Sequence, residues 1–321
     1  MKRTTAFPVW VYKLALLATT LIWGGSFVVL KGALDTIPAT WLLTIRFAAA
    51  GLLCIPIFWK RLRSNLDSSH LVAGALIGIS GGAAYLVQNI GLTYTTPAKN
   101  AFFTATYCVM VPFLYWAVKH KRPQAHNVLA ALLCIVGVCL VTLRSSTKGL
   151  AGAFTMGLGD ALTLGCALLF AINIVLISIL APAHDLPTLI VIQLLVFAAV
   201  CAVAGIVAKD ALPTITTFTP DLLGKLAFLI LLGTVLAIVM QNLGQKYVDP
   251  SQAALIMSFE SVFGVIFSVL IYHETVTTLM LVGFASIFVS ILVSELIGGH
   301  KERKEKRSCT QTSTAPTLSE Y

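Results

Sequence analysis

The feature that most restricts this 321-residue chain is a succession of ten apolar stretches, each long enough to cross a bilayer as a helix: 12–32, 39–59, 71–94, 98–118, 126–144, 157–180, 187–208, 222–246, 251–272 and 275–297. Inside hydrocarbon no water satisfies an unpaired backbone group, so spanning segments fold as helices or as closed barrels, and stretches of about 20 residues fit helices. Charged residues make up 11% of the chain, against about 25% in soluble domains. The expected fold class is an all-α integral membrane protein with ten transmembrane helices.

The connections are short and marked by Pro38, Pro97, Pro123, Pro187 and Pro250, which leaves no room for a separate soluble domain. One segment is written twice. Gln88-Asn89-Ile90-Gly91, followed by Tyr94, Pro97 and Ala101, returns as Gln241-Asn242-Leu243-Gly244, followed by Tyr247, Pro250 and Ala254, at an offset of 153. A weaker correspondence at an offset of 147 aligns Trp23 with Phe170, Ser26 with Asn173 and Arg46 with Gln193. Five spans separate each helix from its counterpart, and an odd number turns the second copy upside down. The expected organisation is therefore two inverted five-helix repeats, at 12–144 and 157–297, related by a pseudo-two-fold axis in the membrane plane. A cytoplasmic N-terminus (1–11) precedes them, and a charged, then Ser- and Thr-rich, disordered cytoplasmic tail (298–321) follows.

The net charge of +9 sits in short clusters between apolar segments rather than in a nucleic-acid-binding pattern. With the N-terminus inside, fifteen Lys and Arg side chains fall on the cytoplasmic side and six outside, a positive-inside bias that puts both ends in the cytoplasm. The seven cysteines form no C-x-x-C pair, so neither a metal site nor a disulfide framework is indicated. No Walker-type phosphate loop appears, and no cofactor is expected.

Arg46 stands near the middle of the second span, where an arginine costs about 2.5–3.5 kcal/mol on insertion scales. It must meet a cavity or a partner, so it reads either as a clamp on carbonyls or acids, or as an anchor for an anionic substrate group. Glu260, in the ninth span, could pair with Arg46, bind a substrate amine or exchange a proton. Its repeat mate is Tyr107, and if both line one cavity they face each other across the axis. Gln88, Asn89, Gln241 and Asn242 carry donors and acceptors for substrate, or equally hold helices together. Trp23, Ser26, Asn173 and Gln193 complete the candidate binding set. Gly24, Gly25, Gly78, Gly81 and Gly82 permit close helix approach, and Pro112 is expected to kink the fourth helix, as a structural feature or a gate.

Ten spans in two inverted halves, with Ile22-Trp23-Gly24-Gly25-Ser26-Phe27 in the first helix, Arg46 in the second and the paired Gln-Asn-x-Gly segments, resemble the drug/metabolite transporter superfamily, specifically its EamA family. The resemblance covers Tyr12 to Ile297. It implies a secondary carrier whose central cavity is lined by helices 1–4 and 6–9, with helices 5 and 10 at the periphery, in a bacterial plasma membrane. Family members often carry Glu-Pro where this chain has Glu260-Ser261, so the residue that would kink the ninth helix is missing. They often end the fourth helix on an acid where this chain has Lys121.

The implied function is alternating-access transport of small polar metabolites, with export of amino acids or related compounds as the leading reading and multidrug or toxic-compound efflux as the alternative. A small-molecule substrate and the lipid bilayer are the expected partners, and a coupling ion such as H+ is open. Ten spans suffice for a monomer, and a weak homodimer is also open. A membrane-embedded lipid-modifying enzyme would need clustered acids for a metal. Here Asp35, Asp67, Asp160, Asp185, Asp210, Asp221 and Asp249 are dispersed near helix ends.

Overall fold

In a computed structural model, residues 7–120, 122–142 and 157–272 are described, together with 278–279, 281–283, 285–290, 292–293 and 297. The first six residues, Lys121 and the tail 298–321 lie outside the described residues. The regular structure is helical throughout: α1 (Val9–Leu34), α2 (Ala39–Asn65), α3 (Ser68–Thr93), α4 (Pro97–Ala105), α5 (Tyr107–Lys119), α6 (Ala125–Thr142), α7 (Leu158–Leu180), α8 (Leu186–Ala208), α9 (Pro220–Ile230), a π-helical turn at Leu231–Leu236, α10 (Ala237–Tyr247), α11 (Pro250–Met257) and α12 (Phe259–Tyr272). Among the described residues eight segments are long and apolar enough to cross a membrane, and two further apolar helices, Ala125–Gly137 and Leu281–Ser290, are shorter. The last of the ten expected spans, 275–297, falls partly outside the described residues. The outward surface is apolar, with Leu52, Ile57, Val72, Ile79 and Val207 all more than half exposed, as a lipid-facing belt requires.

The repeat is visible in three dimensions. Ala39 and Leu186 begin mated helices 147 residues apart, and Pro97 and Pro250 begin mates 153 apart. Mates meet antiparallel: Gly51 lies against Leu194 and Leu195, while Gly205 lies against Thr40 and Trp41. Ser286 Oγ donates to the carbonyl of Leu133, its own mate, at 3.0 Å, and Ser258 Oγ lies 3.5 Å from the carbonyl of its mate Ala105. A residue can touch its own mate only near a two-fold axis, so the halves are inverted about a line through these contacts.

Pro112, expected to kink the fourth helix, lies inside α5, and the fourth span is interrupted before it, at Thr106, whose hydroxyl donates to the Phe103 carbonyl at 2.6 Å. The ninth span breaks too, at Ser258, although it has no proline there; Ser258 Oγ donates to the Ala254 carbonyl at 2.9 Å and Ser261 Oγ to the Ser258 carbonyl at 2.8 Å. Side-chain hydroxyls bonded to carbonyls three or four residues back compete with the helix ladder and bend it.

The two halves are not packed alike. Along α3, Gly74, Gly78, Gly81 and Gly82 form a bare strip against Ile192, Val196, Phe197 and Val200 of α8, so the backbones approach closely. The mates of those glycines are Ala227, Leu231, Thr234 and Val235, and the α9–α10 span packs far less extensively on α2. The closed seam runs toward the end of the molecule where α1 and α3 start, here termed the amino end. Polar contacts fasten that end. Asp185 N–H donates to His70 Nε2 at 3.0 Å, Ser69 Oγ meets His184 Nε2 at 2.8 Å, Arg61 lies 3.9 Å from Asp185, and Tyr12 stacks on Tyr247. Asp67 caps α3, and hydrogen bonds from the His70 backbone and ring hold its carboxyl below the usual carboxylate range.

A Cβ added at Gly78 would fall 2.5 Å from Val196 Cβ. Gly78→Ala should therefore force the seam apart and lower stability by about 1–3 kcal/mol, the usual cost of overpacking. A thermal unfolding scan in detergent should show a fall of several degrees; an unchanged melting temperature would mean that the seam is not closed.

Candidate substrate cavity

Enclosed by α1, α3, α4–α5, α7 and α11–α12, with Arg46 of α2 on one wall, lies a cavity whose water-accessible volume is about 30 Å³. It reaches from mid-depth toward the far end of α1 and α3. Its walls are Trp23, Ser26, Phe27 and Leu30 of α1, Arg46 of α2, Tyr85 and Gln88 of α3, Thr104 and Tyr107 of α4 and α5, Phe170 and Ile174 of α7, Met257 of α11 and Glu260 of α12. Both halves contribute, as expected of a site on the symmetry axis.

Arg46 is 1% exposed and is held by a device the sequence does not announce. In the π-helical turn at Leu231–Leu236 each N–H reaches a residue further back than in an α-helix, which distorts the carbonyl ladder. The Gly233 carbonyl accepts from Arg46 Nη2 at 2.8 Å and from Trp23 Nε1 at 3.0 Å. Arg46 Nε donates to the Thr234 hydroxyl, which in turn donates to the Leu229 carbonyl at 2.8 Å. The guanidinium carbon lies 5.4 Å from the Phe47 ring centre and 5.9 Å from that of Tyr85, within cation–π range. Nη1 is buried without a hydrogen-bond partner.

Glu260 and Arg46 line the same cavity but form no ion pair, so the direct pairing open to them in the sequence is not made. Glu260 sits in the first turn of α12, restarted by the break at Ser258, and its mate Tyr107 begins α5 after the break at Thr106. Glu260 and Tyr107 lie against each other, within reach of a mutual side-chain hydrogen bond, although neither Glu260 Oε1 nor the Tyr107 hydroxyl makes one of good geometry. The helix breaks thus deliver two polar side chains to the axis at mid-depth.

Gln88 reaches the cavity while its Nε2 donates to Thr104 Oγ1 at 3.0 Å. Trp23 and Ser26 line it as well. Asn89 and Asn242 do not; each bonds back into its own helix, to the carbonyls of Tyr85 and Ile238 at 2.8 and 2.9 Å. Asn173 ties α7 to α3 through the Ile77 carbonyl and Ser80 Oγ, at 2.8 and 3.1 Å. Gln193 and Gln241 are buried away from the cavity walls. Of the residues the sequence reading missed, Thr104 and Met257 are mates of one another, so the repeat alignment could have found them. Gly233 and Thr234 carry only the weak signal of two small residues inside an apolar run.

The sequence profile of the EamA-like transporter family matches residues 10–143 and 157–296. This chain belongs to that family. It is 32% identical over 285 residues to a protein of Archaeoglobus fulgidus (strain ATCC 49558 / DSM 4304 / JCM 9628 / NBRC 100126 / VC-16) named "Uncharacterized transporter", covering 88% of this chain and 85% of that one. A second protein of the same name and organism is 25% identical over 263 residues, covering 81% and 89%. A solved crystal structure shares the fold, with a TM-score of 0.72 at 16% identity over 89% of this chain and 96% of the other. This EamA-like transporter is thus a multi-pass membrane protein that moves a small-molecule substrate across a lipid bilayer, and it is not an enzyme.

Replacing Thr234 by Val should leave Arg46 Nε buried without its acceptor, a loss of about 1.5–3 kcal/mol for a bond to a charged group. Thermal unfolding of the purified EamA-like protein should register it, and Thr234→Ser should recover most of the loss. Equal stability of the Val and Ser variants would mean that the hydroxyl does not hold the guanidinium.

Proposed function

We propose that this EamA-like transporter exports amino acids or closely related zwitterionic metabolites from the cytoplasm across the plasma membrane. The observation that supports the reading is the placement of buried polar groups around one cavity: Arg46, whose Nη1 has no partner, on one wall, and Glu260 and Tyr107, against each other, on another. Buried donors and acceptors left open are costly unless something fills them. A guanidinium donor suits a carboxylate, a carboxyl oxygen suits an ammonium, and their places on different walls of a largely apolar space suit a molecule that carries both charges around an apolar side chain.

In this reading the amino end faces the cytoplasm, both termini lie there, and the cavity belongs to an outward-facing form of a monomeric carrier. Rocking of the inverted halves exposes the midplane site to each side in turn. Glu260 then serves two ligands. It accepts the substrate ammonium, and a proton reaching it from outside neutralises the carboxyl and releases that ammonium, so an inward proton gradient drives export. The rings of Trp23, Tyr85 and Phe170 also favour a second reading, efflux of amphipathic drugs, which would use the apolar walls and need no carboxylate anchor.

A thermal-shift screen against amino acids, sugars, nucleosides and cationic drugs separates the readings, because a ligand at a hundred times its Kd adds about 2.7 kcal/mol to the folded state. Amino acids should stabilise the native protein, and Arg46→Ala and Glu260→Gln should each lower ligand affinity and liposome flux by more than about tenfold while the protein is still produced. Stabilisation by cationic drugs alone, unaffected by Arg46→Ala, would overturn the amino-acid reading in favour of drug efflux.

A further inference from the structure

The repeat correspondence divides the cavity walls into two groups. Trp23 and Phe170 are mates, as are Phe27 and Ile174, Thr104 and Met257, and Tyr107 and Glu260; both members of each pair reach the cavity. This group belongs to the axis and is common to both faces. The other group holds the apolar or aromatic Leu30 and Tyr85 and the polar Ser26, Arg46 and Gln88; the polar members are the ones of interest. They line the cavity, whereas their mates Asn173, Gln193 and Gln241 are each at most 3% exposed and do not.

Gln193 is the informative member. It lies in the closed seam, with its backbone against Gly78 of α3, and both its Nε2 and its Oε1 are buried without a hydrogen-bond partner. An amide that only packed helices together would use at least one of those atoms, as Asn173 does. Its mate Arg46 occupies the equivalent place in the open seam and does use its donors, on the π-helical turn. Exchange of the two seams would close α2 on the α9–α10 span and part α3 from α8. Gln193 would then stand toward the amino end as Arg46 now stands toward the far end.

We infer that Asn173, Gln193 and Gln241 line a second, inner-facing form of the substrate cavity, in which the neutral amide of Gln193 takes the place of the Arg46 guanidinium. The inference rests on the alternating-access reading. It adds that the two faces of one site differ in charge. An anionic group meets a full positive charge in the outer-facing form and only an amide donor in the inner-facing form, while Glu260 and Tyr107 serve both. A substrate carboxylate is accordingly held more tightly from the outer side.

Single cysteines in the full-length protein, with the seven native cysteines replaced, test this without knowledge of the substrate. The probes are membrane-impermeant methanethiosulfonates, one anionic and one cationic, added to sealed vesicles of known orientation. Thr104→Cys, on the shared wall, should react from both faces. Ser26→Cys should react from the outer face, and Gln193→Cys and Gln241→Cys from the cytoplasmic face. The preference for the anionic over the cationic reagent should be severalfold greater at Ser26→Cys than at Gln193→Cys. If Thr104→Cys reacts from both faces but positions 193 and 241 are protected, or react from the same face as position 26, the second cavity form is wrong while alternating access stands. If Thr104→Cys reacts from one face only, alternating access itself fails and this inference with it. Position 241 carries the test should Gln193→Cys not fold.

Discussion

A guanidinium buried in a membrane span must be given acceptors, and in this protein the demand of Arg46 shapes the helix opposite it. The π-helical turn at Leu231–Leu236 supplies the Gly233 carbonyl and the Thr234 hydroxyl, at the position where the other repeat has a plain α-helix. The same carbonyl takes the Trp23 indole, so α1, α2 and the α9–α10 span converge on one oxygen. With two of its three nitrogens bonded and the third without a partner, the cation is fixed in place.

That wedge also accounts for the asymmetry. An inverted repeat offers two equivalent seams, α3 with α8 and the α9–α10 span with α2. Four glycines let the first close to backbone contact; at the second, larger mates and the Arg46 side chain hold the helices apart, and Arg46 also forms one wall of the neighbouring cavity. Tyr107 and Glu260 lie on the axis between the seams, on helices that restart at hydroxyl-bearing residues. Their positions would therefore change least in an exchange of seams, as the proposal requires of residues shared by both faces.

Much of this was legible in the sequence, for physical reasons. Hydrocarbon permits few folds, so the lengths of the apolar stretches led to the helices, and the duplicated Gln-Asn segments led to the inverted halves. Arg46, Glu260, Tyr107, Gln88, Trp23 and Ser26 were identifiable because polar groups in apolar surroundings need a reason to be there. Asn89 and Asn242 carried the same signal but spend it on their own helices. The π-helical turn was not legible, because its register is set by a partner 187 residues away and not by its own Leu-rich sequence. Nor were the helix breaks at Thr106 and Ser258, which go with hydroxyl bonds that most Thr and Ser residues in helices also make. Gln193 and Gln241 were legible as polar, but only the packing shows that they lie on the closed side.

The claim on which the account turns is that one seam is closed while its symmetry mate is open. Oxidative cross-linking of two mated cysteine pairs measures it directly: Gly82→Cys with Val200→Cys across the α3–α8 seam, and Val235→Cys with Leu53→Cys across the other. A Cβ at Gly82 would stand 3.2 Å from Val200 Cβ, close to the separation a disulfide spans. The first pair should cross-link rapidly in the resting protein and the second only slowly, in the fraction that has exchanged seams. Equal rates for the two pairs, or faster closure of the second, would contradict the account.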